Sequence, residues 1–329
     1  MNYNYTMLSE QGARIRVGLF LSTRITQQLR SAEPAELLAF CKTAEAVGFD
    51  SLWVGDSLLA RPRYEPLALL GAISASTTKV ALGTGVLLPA LRHPLLLAHS
   101  AATVDRISAG RLVLGFGAGF NYPPTSHELE SVGVPFRQRV GRMVETIKVL
   151  RNLWCAEHPI DFEGRYWRFA NVELLPRPWR PGGPPIWMGG NAGNSLLRAG
   201  EIADGWFATS ASPDKFKIGW EQVQAAAIKA NREVNQIEAA TLATINVNSD
   251  ERAAAADLRR YMETYYSMPY ERLTELLGCC SGSGAACADW LGGFRRAGVR
   301  HLILRFGADD QFAQLERVAA DVLPRLRTS

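Results

Sequence analysis

Two glycine-rich segments carry the clearest chemical signal in the 329-residue chain. In Gly189-Gly190-Asn191-Ala192-Gly193-Asn194-Ser195 a β-type apolar run passes into a helical one through a turn almost bare of side chains. Backbone N–H groups at such a helix start can bind a phosphate, helped by the helix dipole. Thr209, at the end of the next apolar run, would add a hydroxyl. The same glycines could equally make only a tight strand-to-helix turn, and both readings stand at this point. The second segment, Gly115-Phe116-Gly117-Ala118-Gly119, has the look of a dinucleotide-binding loop but lacks the full GxGxxG spacing. Its bare backbone is read as letting a flat ring approach the end of a strand.

The other candidates follow predicted strands. Asp56 is the single acid among the predicted strand ends, with a helix-capping role as the plain alternative. Arg61 and Arg63 flank Pro62 and could grip an anionic group through bidentate hydrogen bonds, or simply face solvent. His93 stands just before Pro94, where it either reaches the site or positions its loop. Ser22 ends the first strand, and Tyr122, with Phe120 and Asn121, could line a pocket. What these ends lack excludes several chemistries. There is no carboxylate pair for glycoside hydrolysis, no lysine for a Schiff base, and no set of His and Asp for a metal. Such a glycine-rich, polar mouth suits a protein that holds a cofactor and lets it do the chemistry, with no catalytic side chain assignable.

The elements that must position these residues alternate regularly. Strands are predicted at 15–21, 51–55, 80–84, 112–117, 185–189, 205–208, 240–247 and 300–306. Helices are predicted at about 34–47, 66–77, 94–109, 136–154, 194–203, 213–233, 250–277 and 286–297, with a terminal helix to about 326. Eight strands alternating with helices in some 300 residues give an α/β (β/α)8 TIM barrel, read as a single domain over 1–329. Two insertions interrupt the rhythm: an aromatic, Pro-rich stretch near 155–184 with a hairpin around Phe162–Trp167, and the region 262–298 with a Gly/Ser/Cys break at 278–286.

Composition narrows the function further. Of 36 basic residues 30 are Arg and 6 Lys, the net charge is +4, and the arginines are scattered, so no nucleic-acid stripe is formed. No run is long and apolar enough to span a bilayer, and Met1–Gln11 lacks a signal-peptide pattern, so a cytoplasmic protein without membrane partners is expected. The five cysteines are then free thiols. Cys279, Cys280 and Cys287 cluster without metal-ligand spacing, and no metal site is assigned.

Several segments resemble the luciferase-like flavin oxidoreductase family. They are Gly48-Phe49-Asp50-Ser51-Leu52-Trp53-Val54-Gly55-Asp56, Val80-Ala81-Leu82-Gly83-Thr84-Gly85-Val86, Arg92-His93-Pro94, Ala102–Leu112, Gly133-Val134-Pro135-Phe136, Pro184–Gly190 and Ala203-Asp204-Gly205-Trp206. The resemblance implies a luciferase-like barrel that binds FMN or the deazaflavin coenzyme F420. It implies a cis peptide at Gly85-Val86 behind the ring and a phosphate on the 189–195 turn with Thr209. It also places Asp56 at the ring edge and Gly119 and Asn121 beside the cofactor. Ser57 stands where many F420-dependent members carry His, and Phe120 where some carry a catalytic Glu. The main expectation is therefore a two-component monooxygenase that uses reduced FMN, supplied by a separate flavin reductase, and O2 on a small organic substrate. The alternatives are an F420-dependent hydride-transfer oxidoreductase and a non-catalytic flavin-binding protein. The resemblance also implies a homodimer.

Overall fold

The computed structural model describes residues 14–24, 33–191 and 193–328. Met1–Gln11 and Ala192 of the glycine-rich turn lie outside the described residues. In chain order the strands are β1 (Arg16–Phe20), β2 (Ser51–Val54), β3 (Ala81–Thr84), β4 (Leu112–Phe116), β5 (Ile160–Glu163), β6 (Arg168–Val172), β7 (Ile186–Gly189), β8 (Gly205–Ala208), β9 (Glu238–Val247), β10 (Gly278–Gly282) and β11 (His301–Phe306). The α-helices are α1 (Pro34–Ala46), α2 (Pro66–Ser76), α3 (Pro94–Ile107), α4 (Pro123–Ser131), α5 (Arg139–Cys155), α6 (Asn194–Ile202), α7 (Pro213–Lys229), α8 (Glu251–Tyr266), α9 (Tyr270–Leu276), α10 (Gly284–Arg296), α11 (Gln311–Arg317) and α12 (Leu323–Thr328). Helices α1, α2, α3, α4 and α7 begin with proline, whose missing N–H costs nothing in the first turn and whose fixed φ suits a helix start.

Hydrogen bonding orders the main sheet β10-β9-β11-β1-β2-β3-β4-β7-β8, with β9 also paired to β8. Without β10, eight strands follow one another in the closed order of a (β/α)8 barrel, and they are the eight expected from the sequence. Their apolar runs are buried along almost their whole length, as strands covered on both faces must be.

The chain divides into two compact units. The first holds the described residues of 1–22, 42–52 and 190–329. Here the long strand β9 pairs along one edge with β11, from Ala240↔His301 to Ile245↔Phe306. Its other edge is shared: β8 takes Glu238–Thr241 and β10 takes Ala243–Val247. Strand β10 is a departure from the sequence reading, which placed a break at 278–286. Its residues, Gly-Cys-Cys-Ser-Gly, have no apolar run. They extend because β9 outlasts β8 and leaves backbone groups that only another strand can satisfy.

The second unit holds the described residues of 23–41 and 53–189. Strands β3, β4 and β7 pair in parallel, and Trp53 and Trp187 meet at 5.0 Å between ring centroids in its core. Gly83 is bare because a Cβ there would strike the Trp53 ring. The Asp105–Arg111 motif is structural. Arg111 donates to the carbonyls of Ser74, Thr77, Val80 and Ser108, while buried Asp105 accepts from the Arg180 N–H at 3.1 Å. The expected hairpin is the antiparallel pair β5–β6. Helix α4 was not expected: the sequence reading assigned no element to 123–131.

Candidate functional site

In the second unit the ends of β2, β3 and β4 lie against one another. The Asp56 carboxylate is 4% exposed and is held by Arg92 through Nη1 to Oδ2 at 2.6 Å and Nη2 to Oδ1 at 3.1 Å. The Leu88 N–H also donates to Oδ2, at 2.9 Å. Arg92 reaches on to Glu65, at 3.0 Å. Burial pushes the Asp56 carboxyl above its ordinary value, against the pull of Arg92. Its oxygens are engaged in joining β2 to the connector after β3.

Beyond β3 the Gly85-Val86 peptide is cis, as the resemblance implies. Gly85 N–H donates to Val54 O at 2.7 Å, Leu87 N–H to Gly115 O at 2.7 Å and Gly117 N–H to Leu87 O at 2.9 Å. Thr84 Oγ1 adds a bond to Gly115 O at 2.9 Å. A Cβ on Gly115 would collide with the Thr84 carbonyl, and one on Gly117 with the Val86 side chain. This corrects the sequence reading of 115–117: the bare backbone admits the chain at 84–86 rather than a flat ring. Gly119, at φ +80°, turns the chain where a Cβ would crowd Thr125.

Two loops meet beside these strand ends. The Arg61 guanidinium lies 5.6 Å from the Phe120 ring and 5.3 Å from that of Tyr122, so two of the predicted substrate residues come together. Phe120 itself is 61% exposed, and Asn121 is exposed. Arg63 covers Gly55 and donates to Thr23 Oγ1 at 3.4 Å. His93 caps α3, its Nδ1 accepting the Leu95 N–H at 3.3 Å, and its ring meets Trp167 edge-on at 4.9 Å. Burial holds its imidazole below the ordinary value, in keeping with the acceptor role.

Sequence reasoning missed Glu128. This residue of α4 is 1% exposed. Its Oε1 accepts from Ser57 Oγ at 2.8 Å, from Leu59 N–H at 2.8 Å and from Ala60 N–H at 3.3 Å, with Leu58 N–H donating as well. Ser57 Oγ in turn accepts the Arg61 N–H at 2.7 Å. One carboxylate thus fixes the loop after β2 and the start of Arg61. The signal available was a glutamate next to an apolar residue in Ser126-His127-Glu128-Leu129, too slight to separate from a surface acid.

In the first unit the turn from Gly190 leads into α6. Gly190 (φ +133°) is bare because a Cβ would strike Ser195, whereas a Cβ on Gly193 (φ +54°) would meet nothing within 4 Å. Gly193 is the N-cap and offers no side-chain acceptor, so the positive end of α6, with Asn194 and Ser195 in its first turn, lies under exposed backbone. Asn191 is locked to Thr209 by Nδ2 to Oγ1 at 2.6 Å and by the Thr209 N–H to Oδ1 at 3.0 Å. The Trp206 indole holds Gly190 O at 2.7 Å. The expected residues 190, 191, 193–195 and 209 are therefore one structure, with Gly189 the last residue of β7.

Ser22 Oγ lies 3.1 Å from Tyr261 Oη, in a polar cluster the sequence did not reveal. Burial pushes the Tyr261 phenol up to about 12. Beside it Arg305, 2% exposed, donates to Thr244 Oγ1 at 2.6 Å and to Tyr266 Oη at 2.8 Å. Its guanidinium stands 4.6 Å from the Tyr265 ring. Burial opposes its charge, but the tyrosines outweigh it and hold the pKa above the ordinary value.

The luciferase-like monooxygenase family model matches residues 15–301. The chain belongs to this family. An F420-dependent glucose-6-phosphate dehydrogenase of Beutenbergia cavernae is 28% identical, over 89% of this chain and 94% of its own. Among solved structures, an F420-dependent secondary alcohol dehydrogenase superposes with a TM-score of 0.82 at 23% identity, covering 95% of this chain and 99% of that one. A type II Baeyer-Villiger monooxygenase of Pseudomonas putida in complex with FMN gives 0.74 at 20% identity, covering 94% and 98%. The chain is thus a luciferase-like oxidoreductase with a luciferase-like TIM barrel. Among the described residues no helix is long and apolar enough to cross a membrane.

Two predictions follow from the loop and cap geometry. Glu128→Gln should cost about 2–3 kcal/mol in unfolding free energy, the scale of charge-assisted hydrogen bonds lost from buried donors, and should speed tryptic cleavage after Arg63. Glu130→Gln, on the exposed side of α4, serves as the control for both readings. For His93 the folded-state value lies below the unfolded one, so its contribution is full above the unfolded value and is lost as pH falls through the folded value. The stability advantage of wild type over His93→Ala, measured by urea unfolding, should be constant above about pH 7 and shrink below about pH 6.

Proposed function

We propose that this protein is an F420-dependent oxidoreductase that moves a hydride between the deazaflavin and a small hydroxyl- or carbonyl-bearing substrate. The observation that carries this reading is the near end-to-end likeness to F420-dependent dehydrogenases, 28% identical over 89% of the chain. It replaces FMN and O2 as the first choice, although the chain keeps the sequence departures noted at Ser57 and Phe120.

The residues present fit such a cofactor. The 190–195 turn offers bare backbone and the uncapped start of α6, which suits a phosphate. Thr209 and Trp206 hold Gly190 and Asn191, at the start of that turn, before anything binds, so these two need no ordering on association. In the second unit Asp56, Arg92 and Leu88 fix the ends of β2 and β3 against each other. The loop carrying Arg61 and the loop carrying Phe120 and Tyr122 present a cation and two rings suited to an anionic, partly aromatic molecule. When bound, the deazaflavin would supply the hydride donor or acceptor. The protein's part is to bind, orient and exclude water. In the first unit, Tyr261 keeps its proton at Oη across the neutral range and shares a hydrogen bond with Ser22.

A second reading is a two-component monooxygenase with reduced FMN and a separate reductase. It is favoured by the likeness to the FMN-bound monooxygenase, at a TM-score of 0.74. Fluorescence titration with each cofactor separates the two. F420 should bind with a dissociation constant on the order of micromolar or tighter, and FMN at least about tenfold more weakly. The opposite order would overturn the proposal in favour of the second reading, and binding of neither would overturn both.

A further inference from the structure

Three thiols of the first unit stand outside the site described above. Cys279 and Cys280 are neighbours in β10, and Cys287 lies in the first turn of α10. Successive residues of a strand face opposite ways. The two cysteines accordingly have different surroundings. Cys279 pairs in register with Thr244 of β9, and burial pushes its thiol up to about 11. Cys280 turns to α10 instead, its Sγ 3.9 Å from Cys287 Sγ. Cys287 is fully buried, with Asn246 O and Gly282 O each 3.9 Å from its sulfur, whereas Cys280 is only half-buried.

We infer that Cys280 and Cys287 form a peroxide-responsive thiol pair, with Cys280 attacking and Cys287 resolving. The separation is ordinary sulfur–sulfur contact, so the two sulfurs need approach by only about 2 Å to reach bonding distance. The accessible member is the one a small oxidant reaches. The contact with Cys287 also draws the Cys280 thiol below its ordinary value and pushes Cys287 up, so the thiolate forms on Cys280. Its sulfur displaces hydroxide from a hydroperoxide, breaking the O–O bond and giving a sulfenic acid. The Cys287 sulfur then displaces the sulfenic oxygen, which leaves as water after taking the thiol proton. Two thiols and one hydrogen peroxide thereby become one disulfide and two waters, two electrons passing from sulfur to oxygen. The bond would tie β10 to the start of α10, whose N-cap Ser283 lies between the two cysteines.

The test is made on the intact protein. After treatment with hydrogen peroxide, alkylation under denaturing conditions and tryptic digestion, the peptide 273–295 holds all three thiols. The untreated peptide should take three labels. The treated one should take a single label, on Cys279, and lose about 2 Da relative to its thiol form. Cys279→Ser should retain the mass loss, and Cys287→Ser should instead leave a sulfenic acid on Cys280 that dimedone traps. Three labels after treatment, a label on Cys280, oxygen added without loss of a second label, or a cross-link between chains would each overturn the assignment. The wild-type peptide decides the matter even where a variant fails to fold.

Discussion

The ion pair between Asp56 and Arg92 is the constraint on which the second unit's strand ends depend. Short strands such as β2 and β3, of four residues each, have few ladder hydrogen bonds to fix where they stop. A buried carboxylate gripped by a guanidinium and by a backbone N–H from beyond β3 supplies what the ladder cannot. Such a pair adds little net stability compared with apolar packing, but removing one partner strands the other and is costly. Its contribution is to define one arrangement. Given that arrangement, Thr84 and Val86 can lie against the bare backbone of Gly115 and Gly117, and the 84–87 segment can bond to both neighbouring strands.

The loops follow the same logic of one acceptor collecting several donors. Glu128 gathers three backbone N–H groups and a hydroxyl of the loop after β2. In like fashion Glu145 gathers the N–H groups of Arg165, Tyr166 and Trp167 at the hairpin turn. A carboxylate meeting several amides stabilises a turn whose own backbone would otherwise face only water, and it does so with few side chains. In the first unit neutral groups do the equivalent work, with Asn191, Thr209 and Trp206 shaping the turn before α6. The family's flavin-type chemistry needs such fixed backbone more than it needs acids and bases, because the cofactor carries the reactive atoms.

The fold was legible because its signals are local. Each barrel strand is an apolar run, and most helices announce themselves by an initial proline or a terminal glycine. The turn at 190–195 was legible for the same reason, since its glycines stand in sequence order. What escaped depends on partners far along the chain. Arg92 lies 36 residues from Asp56, so nothing near Asp56 could show that its oxygens are engaged. Glu128 escaped because its partners are backbone N–H groups about 70 residues away. Strand β10 has neither apolar residues nor alternation, and it exists because β9 is longer than β8. The glycines of 115–117 were placed correctly as bare backbone, but the chain itself, at 84–86, occupies the space they leave.

The central claim is that Asp56 holds the strand ends of the second unit through Arg92. The most direct measurement is a double-mutant cycle on Asp56→Asn and Arg92→Met, read by urea unfolding. Each single change should cost about 3 kcal/mol, as expected when one member of a buried pair is removed. Asp56→Asn made in the Arg92→Met background should cost less than about 1 kcal/mol more, because the partner is already gone. Additive costs, or an Asp56→Asn protein as stable as wild type, would contradict the account.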